Sequence, residues 1–286
     1  MTTDPHAHDH GAHEHDRGLS LDLPTLLSRR RLLGILGGVG AAAVAGCAAT
    51  DDGTTTAGGT STATANATSG ATAAATATAG TRIPEETAGP YPGDGSNGVN
   101  VLTDSGIVRS DIVKSFGASS GQATGVPLTI VLTVLDTASG SAPRAGAAVY
   151  VWHCDSAGRY SLYDREISDE NYLRGVQETD ARGSVRFTSI FPAAYSGRWP
   201  HIHFEVYPSL AKATTASDKL RTSQLALPEA ACRQVYATAG YEQSLRNLAQ
   251  TSLATDNVFR DGHSLQLGTV TGDVSNGMTV TLNVPV

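Results

Sequence analysis

Between Ala48 and Thr81 the chain is nearly all Ala, Thr, Gly and Ser, and this limits what the remainder can build. Such a stretch buries too little apolar surface to offset the entropy of ordering its backbone, so it is expected to be a flexible linker. A hydrophobic core must then be assembled from residues 82–286, which is one domain's worth of chain.

Ahead of the linker, His6, His8, His10, His13 and His15 lie among acidic residues with no apolar periodicity, which reads as a solvated, disordered head. Ser28-Arg29-Arg30-Arg31-Leu32-Leu33 then leads into a Gly- and Ala-rich apolar run that closes on Val44-Ala45-Gly46-Cys47. An apolar core of about 15 residues is short for a permanent span, and behind an arginine pair it is similar to a twin-arginine export signal. The small residues ending at Cys47 resemble a lipobox, after which Cys47 would carry the lipid that anchors the protein. Residues 1–47 are thus expected to be an export signal, 48–81 a tether, and 82–286 a folded domain on the outer face of the cell membrane. A net charge of −7 and the lack of a basic cluster argue against a nucleic-acid partner. With Cys47 given to lipid, Cys154 and Cys232 are left as an even pair in an oxidising compartment, and a disulfide is the first expectation.

Within the domain, Pro127–Asp136 is β-branched and strand-like, and a turn-rich stretch joins it to a second strand at Ala147–Cys154, so the two are expected to form a hairpin. Further strands are expected at Ser184–Ile190, His201–Tyr207 and Thr222–Leu227. Pro228–Gln250 is the helical candidate, divided by Gly240. The C-terminal stretch alternates Val270, Val280, Leu282 and Val284 around Asn276-Gly277, a hairpin signal. The expected fold is mainly β: a sandwich core with inserted loops and one or two short helices.

The chemistry converges on Phe191–Phe204, F-P-A-A-Y-S-G-R-W-P-H-I-H-F. His201 and His203 alternate with Ile202, so on a strand their imidazoles leave one face. Tyr195 and Arg198 precede them across a turn marked by Gly197 and Pro200. A second phenol, Tyr160, is presented by the Gly-containing turn Asp155–Tyr160. His153 falls on the strand face opposite Trp152 and is expected to be structural. A phenol titrates near about 10 and needs a cation to ionise it at neutral pH. Zn(II) and Cu(II) usually take His, Cys or carboxylate, so a mixed Tyr/His set favours Fe(III).

The motifs V-x-V-W-H-C-D-x-x-G-R-Y, L-R-G-V-Q-x-T-D-x-x-G, F-x-S-I-x-P-x-x-Y and R-x-P-H-I-H-F occur in this order, and the pattern resembles the intradiol ring-cleavage dioxygenases, the family of catechol and protocatechuate dioxygenases. The resemblance implies a non-haem Fe(III) held by Tyr160, Tyr195, His201 and His203, with a catechol and O2 as substrates and a cis,cis-muconate as product. Tyr195 would leave the metal and take a substrate proton, Arg198 would stabilise developing negative charge, Gln224 would line the reacting centre, and Tyr91 of G-P-Y would wall the pocket mouth. The chain departs from better-known members in its short Tyr195 to His201 spacing, which implies a more open pocket. A tether stands where those members carry a helical dimerisation segment. Oligomeric state is left open, and a monomer is compatible with it. The alternative reading is a lipid-tethered β-sandwich module that binds aromatic compounds without turnover.

Overall fold

The computed structural model describes residues 80–286. Residues 1–79, on which the expected export signal, Cys47 and almost all of the expected linker fall, lie outside the described residues. Nine strands and two short helices follow in order: β1 (Pro127–Asp136), β2 (Ala142–Pro143), β3 (Ala148–Trp152), β4 (Arg174–Glu178), β5 (Ser184–Ile190), β6 (His201–Tyr207), β7 (Arg221–Ala226), α1 (Glu229–Tyr236), α2 (Glu242–Leu248), β8 (Thr269–Asp273) and β9 (Gly277–Pro285). They form the mainly β sandwich that the strand spacing implied. No helix of the described residues is long and apolar enough to cross a membrane.

One sheet runs β2-β1-β9-β8, with β5 also paired to β1; the other runs β4-β3-β6-β7. β1 pairs in parallel with β9 and antiparallel with β5, with Ile130 opposite Val280 and Phe187. Alternation decides which side chains enter the core. Leu128, Ile130, Leu132 and Val134 of β1 meet Val149 and Val151 of β3 and Ile202, Phe204 and Val206 of β6 between the sheets. Burying each of these side chains contributes roughly 1.5–3 kcal/mol. The other face of the second sheet, with Tyr150, Trp152 and Tyr207, is covered by loops that bring Val101, Leu102, Ile107 and Tyr160 onto it. The loops create a second apolar cluster there, and the chemistry sits at its end.

Two expectations are corrected. β1 and β3 are not a hairpin: β1 pairs with β2, β5 and β9, whereas β3 pairs with β4 and β6. The turn-rich connection carries the chain from one sheet to the other, and a short link between two apolar strands looks the same in sequence either way. Cys154 and Cys232 are free and buried, not bridged. Cys154 packs in the loop-covered cluster and Cys232 in the inter-sheet core, and their thiols point at different carbonyls, Ala193 at 3.7 Å and Leu227 at 3.9 Å. An even count of cysteines carries no information about the close approach that a bridge demands.

The helical segment is divided as expected, with Gly240 at φ +89° between α1 and α2. Here glycine is required, because other residues rarely adopt that backbone. Pro228 stands at the N-cap of α1, one position before the helix. The Asn276-Gly277 turn joins β8 to β9.

Candidate metal centre

β6 presents His201 and His203 on the loop-covered face, with Trp152 of β3 and Gln224 of β7 directly opposite His203 in register. The two imidazoles meet Nε2 to Nε2 at 3.1 Å, and the Tyr195 phenol lies 3.1 Å from the same His201 nitrogen. The Tyr160 ring stands 6.0 Å from that of Tyr195 and 6.2 Å from that of His203. Two loops and one strand therefore bring all four sequence-predicted donors to one point. Trp152 stacks on His203 with centroids 4.8 Å apart and planes at 7°, which fixes that imidazole in rotation.

The donor chemistry fits one cation. His201 Nδ1 bonds the Trp199 carbonyl at 2.6 Å, a partner that assigns the proton to Nδ1 and leaves the Nε2 lone pair facing the other donors. Burial drives the His201 pKa down to about 3, with the Arg198 charge adding to the shift. Burial, then the His201 and Arg198 charges, hold His203 well below its ordinary value. Both rings are therefore neutral and able to donate. The Tyr160 oxygen is buried without a hydrogen-bond partner, and burial followed by the neighbouring Tyr195 pushes its pKa well above the ordinary phenol value. An ionised Tyr160 needs a positive charge at this point. Among the described residues no three of His, Cys, Asp or Glu gather around one position, so the histidine pair completes a ligand set with phenols or not at all.

Arg198 is buried, 1% exposed, and faces Asp256, which is 0% exposed. Its Nε donates to Asp256 Oδ2 at 3.0 Å and its Nη2 to Gln224 Oε1 at 2.6 Å. Gln224 in turn donates to the Thr87 carbonyl at 2.9 Å. Burial opposes ionisation of Asp256, but the Arg198 charge and the Trp199 N–H outweigh it and hold the carboxyl below its ordinary value. Tyr91 lies against the Tyr160 ring at 4.9 Å and Tyr163 at 5.3 Å, so it belongs to the wall of the site.

His153 takes no part: its Nε2 meets Ser189 Oγ at 2.7 Å and its Nδ1 the Cys154 carbonyl at 2.8 Å. Burial lowers its pKa to about 4.

Two supporting residues carried no signal of their own. Asp256 reads in sequence as an ordinary turn aspartate. Arg174 lies within the L-R-G motif, but its task is visible in space: it donates to the carbonyls of Tyr91, Pro92 and Ser161 and to the hydroxyls of Ser161 and Tyr150. These bonds hold the backbone just past Tyr160, where Leu162 takes φ +72°, a conformation costly for a residue with a Cβ.

Residues 108–216 match a family model described as Dioxygenase, and this segment contains Tyr160, Tyr195, Arg198, His201 and His203. The chain is 36% identical over 92 residues to catechol 1,2-dioxygenase 2 of Acinetobacter lwoffii, covering 26% of this chain and 33% of that protein. It is 34% identical over 116 residues to the protocatechuate 3,4-dioxygenase beta chain of Burkholderia cepacia, covering 36% of this chain and 48% of that one. The match thus spans between a third and a half of the length of these curated relatives. The fold is similar to that of an intradiol ring-cleavage dioxygenase from Tetranychus urticae, with a TM-score of 0.53 and 24% identity over 64% of this chain and 87% of the other. The matched segment houses the two phenols and two imidazoles that converge in the structure, and over that segment the chain is similar to the catechol and protocatechuate dioxygenases.

Proposed function

We propose that the protein cleaves catechol-type rings between the two hydroxylated carbons, using O2 and a non-haem Fe(III) held by Tyr160, Tyr195, His201 and His203, to give cis,cis-muconate-type products. The observation that carries this reading is the convergence of two phenols on the 3.1 Å imidazole pair, a donor set suited to a hard, trivalent ion. Ferric iron, when bound, supplies the Lewis acidity that favours the catechol dianion and the electron path from the ring to O2.

The chain's own residues do the rest. Tyr160, fully buried in the loop-covered cluster, is the fixed phenolate. Tyr195 is half-buried at the open side and, as a phenolate, accepts one of the two catechol protons at its oxygen, the other passing to solvent. Arg198, held on two nitrogens, keeps a positive charge beside the ring for the negative charge that develops there. Tyr91 and Tyr163 form an aromatic wall that orients the substrate. Gly197 at the turn is exposed, and the short segment from Tyr195 to His201 leaves room for substituted catechols.

Iron added to metal-free protein tests the assignment. A red-brown charge-transfer band and catechol-dependent O2 uptake are expected; protein that stays colourless and consumes no O2 over a panel of catechols and hydroxyquinol overturns it, and a coloured protein that binds catechols without O2 uptake establishes the non-catalytic alternative. We further propose that the domain works outside the cytoplasm on a lipid carried by Cys47, a reading supported by the sequence of residues 28–47.

A further inference from the structure

Asp256 lies 58 residues beyond Arg198 in sequence and outside the segment that matches the family model, yet its carboxylate is built into the turn that carries the metal donors. Oδ2 accepts from Arg198 Nε at 3.0 Å and from the Trp199 backbone N–H at 2.7 Å. Oδ1 accepts from the backbone N–H groups of Val258 and Phe259 at 2.8 and 3.2 Å. The second pair ties Asp256 to its own turn, so the carboxylate is a fixed post and not a mobile counter-ion. The first pair grips the chain two residues before His201, whose Nδ1 bonds the Trp199 carbonyl. Asp256 therefore holds the backbone N–H of Trp199 while His201 holds the carbonyl of the same residue. Gln224 grips a second nitrogen of Arg198 at 2.6 Å, so the guanidinium plane is clamped from β7 and from the Asp256 turn together. A planar donor held at two nitrogens cannot rotate about its long side chain.

We propose that Asp256 is a positioning residue for ring cleavage: it acts through Arg198, fixing where that positive charge stands relative to the Tyr195, His201 and His203 donors. The proposal rests on the dioxygenase reading above. A group aimed at charge that appears in the transition state changes kcat more than KM. Asp256→Asn keeps the shape and the Oδ1 acceptor but offers Arg198 a neutral amide.

In the iron-loaded full chain, Asp256→Asn is expected to retain its iron and its charge-transfer band, because the four donors are untouched. Its kcat should fall by about 10- to 100-fold with KM changed less than about threefold, the range for loss of a preorganised charge. Asp256→Glu, which keeps the charge, should recover part of that loss. The cycle with Arg198 decides between positioning and mere folding: added to Arg198→Met, the Asp256→Asn change should alter kcat by less than about twofold, because coupled residues are not additive. That double variant also strands no buried cation, so it carries the test if Asp256→Asn alone does not fold. An additive loss of about tenfold or more in the double variant, or an Asp256→Asn enzyme with unchanged kcat, overturns the proposal while leaving the dioxygenase reading intact. A wild-type protein that takes up iron but cleaves no catechol overturns both.

Discussion

Tyr160 and Tyr195 are the same phenol in different surroundings, and the difference assigns their work. Tyr160 is 3% exposed and in the proposed reading would stay in place as a donor, whereas half-buried Tyr195 has solvent beside it and would exchange a proton. Tyr195→Phe should therefore keep iron but lower kcat by about 100-fold, the usual size of a lost general base, read by catechol-dependent O2 uptake. His153 gives a separate pH signature. Its folded pKa, about 4, lies below the ordinary histidine value of 6.5. Between those values the unfolded chain binds a proton that the folded chain refuses, so stability falls as pH drops from 6.5 to 4 and then levels off. The loss is on the order of 3 kcal/mol from this residue. Urea midpoints of the wild type and His153→Gln should differ in their pH slope across that window and run parallel above it. At this scale the sequence was most legible in singling out Tyr160, Tyr195, His201 and His203, which the structure gathers at one point. Asp256 does not, because its meaning depends on a partner distant in the chain.

β6 concentrates the design of the domain in seven residues. Ile202, Phe204 and Val206 enter the inter-sheet core while His201 and His203 face the loops, so a one-residue slip would bury the histidines among aliphatics and turn the core outward. The alternation of His and apolar residues made this strand readable. Pairing between strands was less so, and the β1–β3 hairpin failed because local sequence does not say which sheet receives the second strand. The approach of the loops that carry Tyr160 and Tyr195 was not readable either. Gly158, at φ +87°, would place an added Cβ 3.3 Å from the Tyr195 Cβ. Gly158→Ala combines backbone strain with pressure on the loop that carries Tyr195, and a cost of about 1–2 kcal/mol is expected. Differential scanning calorimetry should show the lower melting point, and iron should leave the variant faster under a chelator.

For the molecule as a whole, the sandwich was legible from strand spacing and the helical break, and the loop-covered second cluster was not, because loops carry no periodicity. Membrane fractionation tests the proposed anchor: Cys47→Ser should release the protein to the soluble fraction, and retention on membranes would contradict lipid attachment. Truncation tests the domain boundary. Ile83 is buried and its N–H bonds the Pro285 carbonyl at 2.8 Å, while the Glu86 N–H bonds Thr222 at 2.9 Å. A domain starting at Ala88 should lose about 3 kcal/mol or more, from the Ile83 side chain and these bonds, whereas one starting at Gly80 should melt like the intact protein. These bonds also order the response to traction. A pull on the amino end meets first the Arg82–Thr137 and Ile83–Pro285 bonds, then the Glu85–Arg221 pair and Glu86–Thr222, and then the Thr87 carbonyl that holds Gln224 against Arg198. Load on a surface-attached copy would thus slacken the guanidinium clamp before it unzips a sheet, making turnover the first casualty of tension and melting the last.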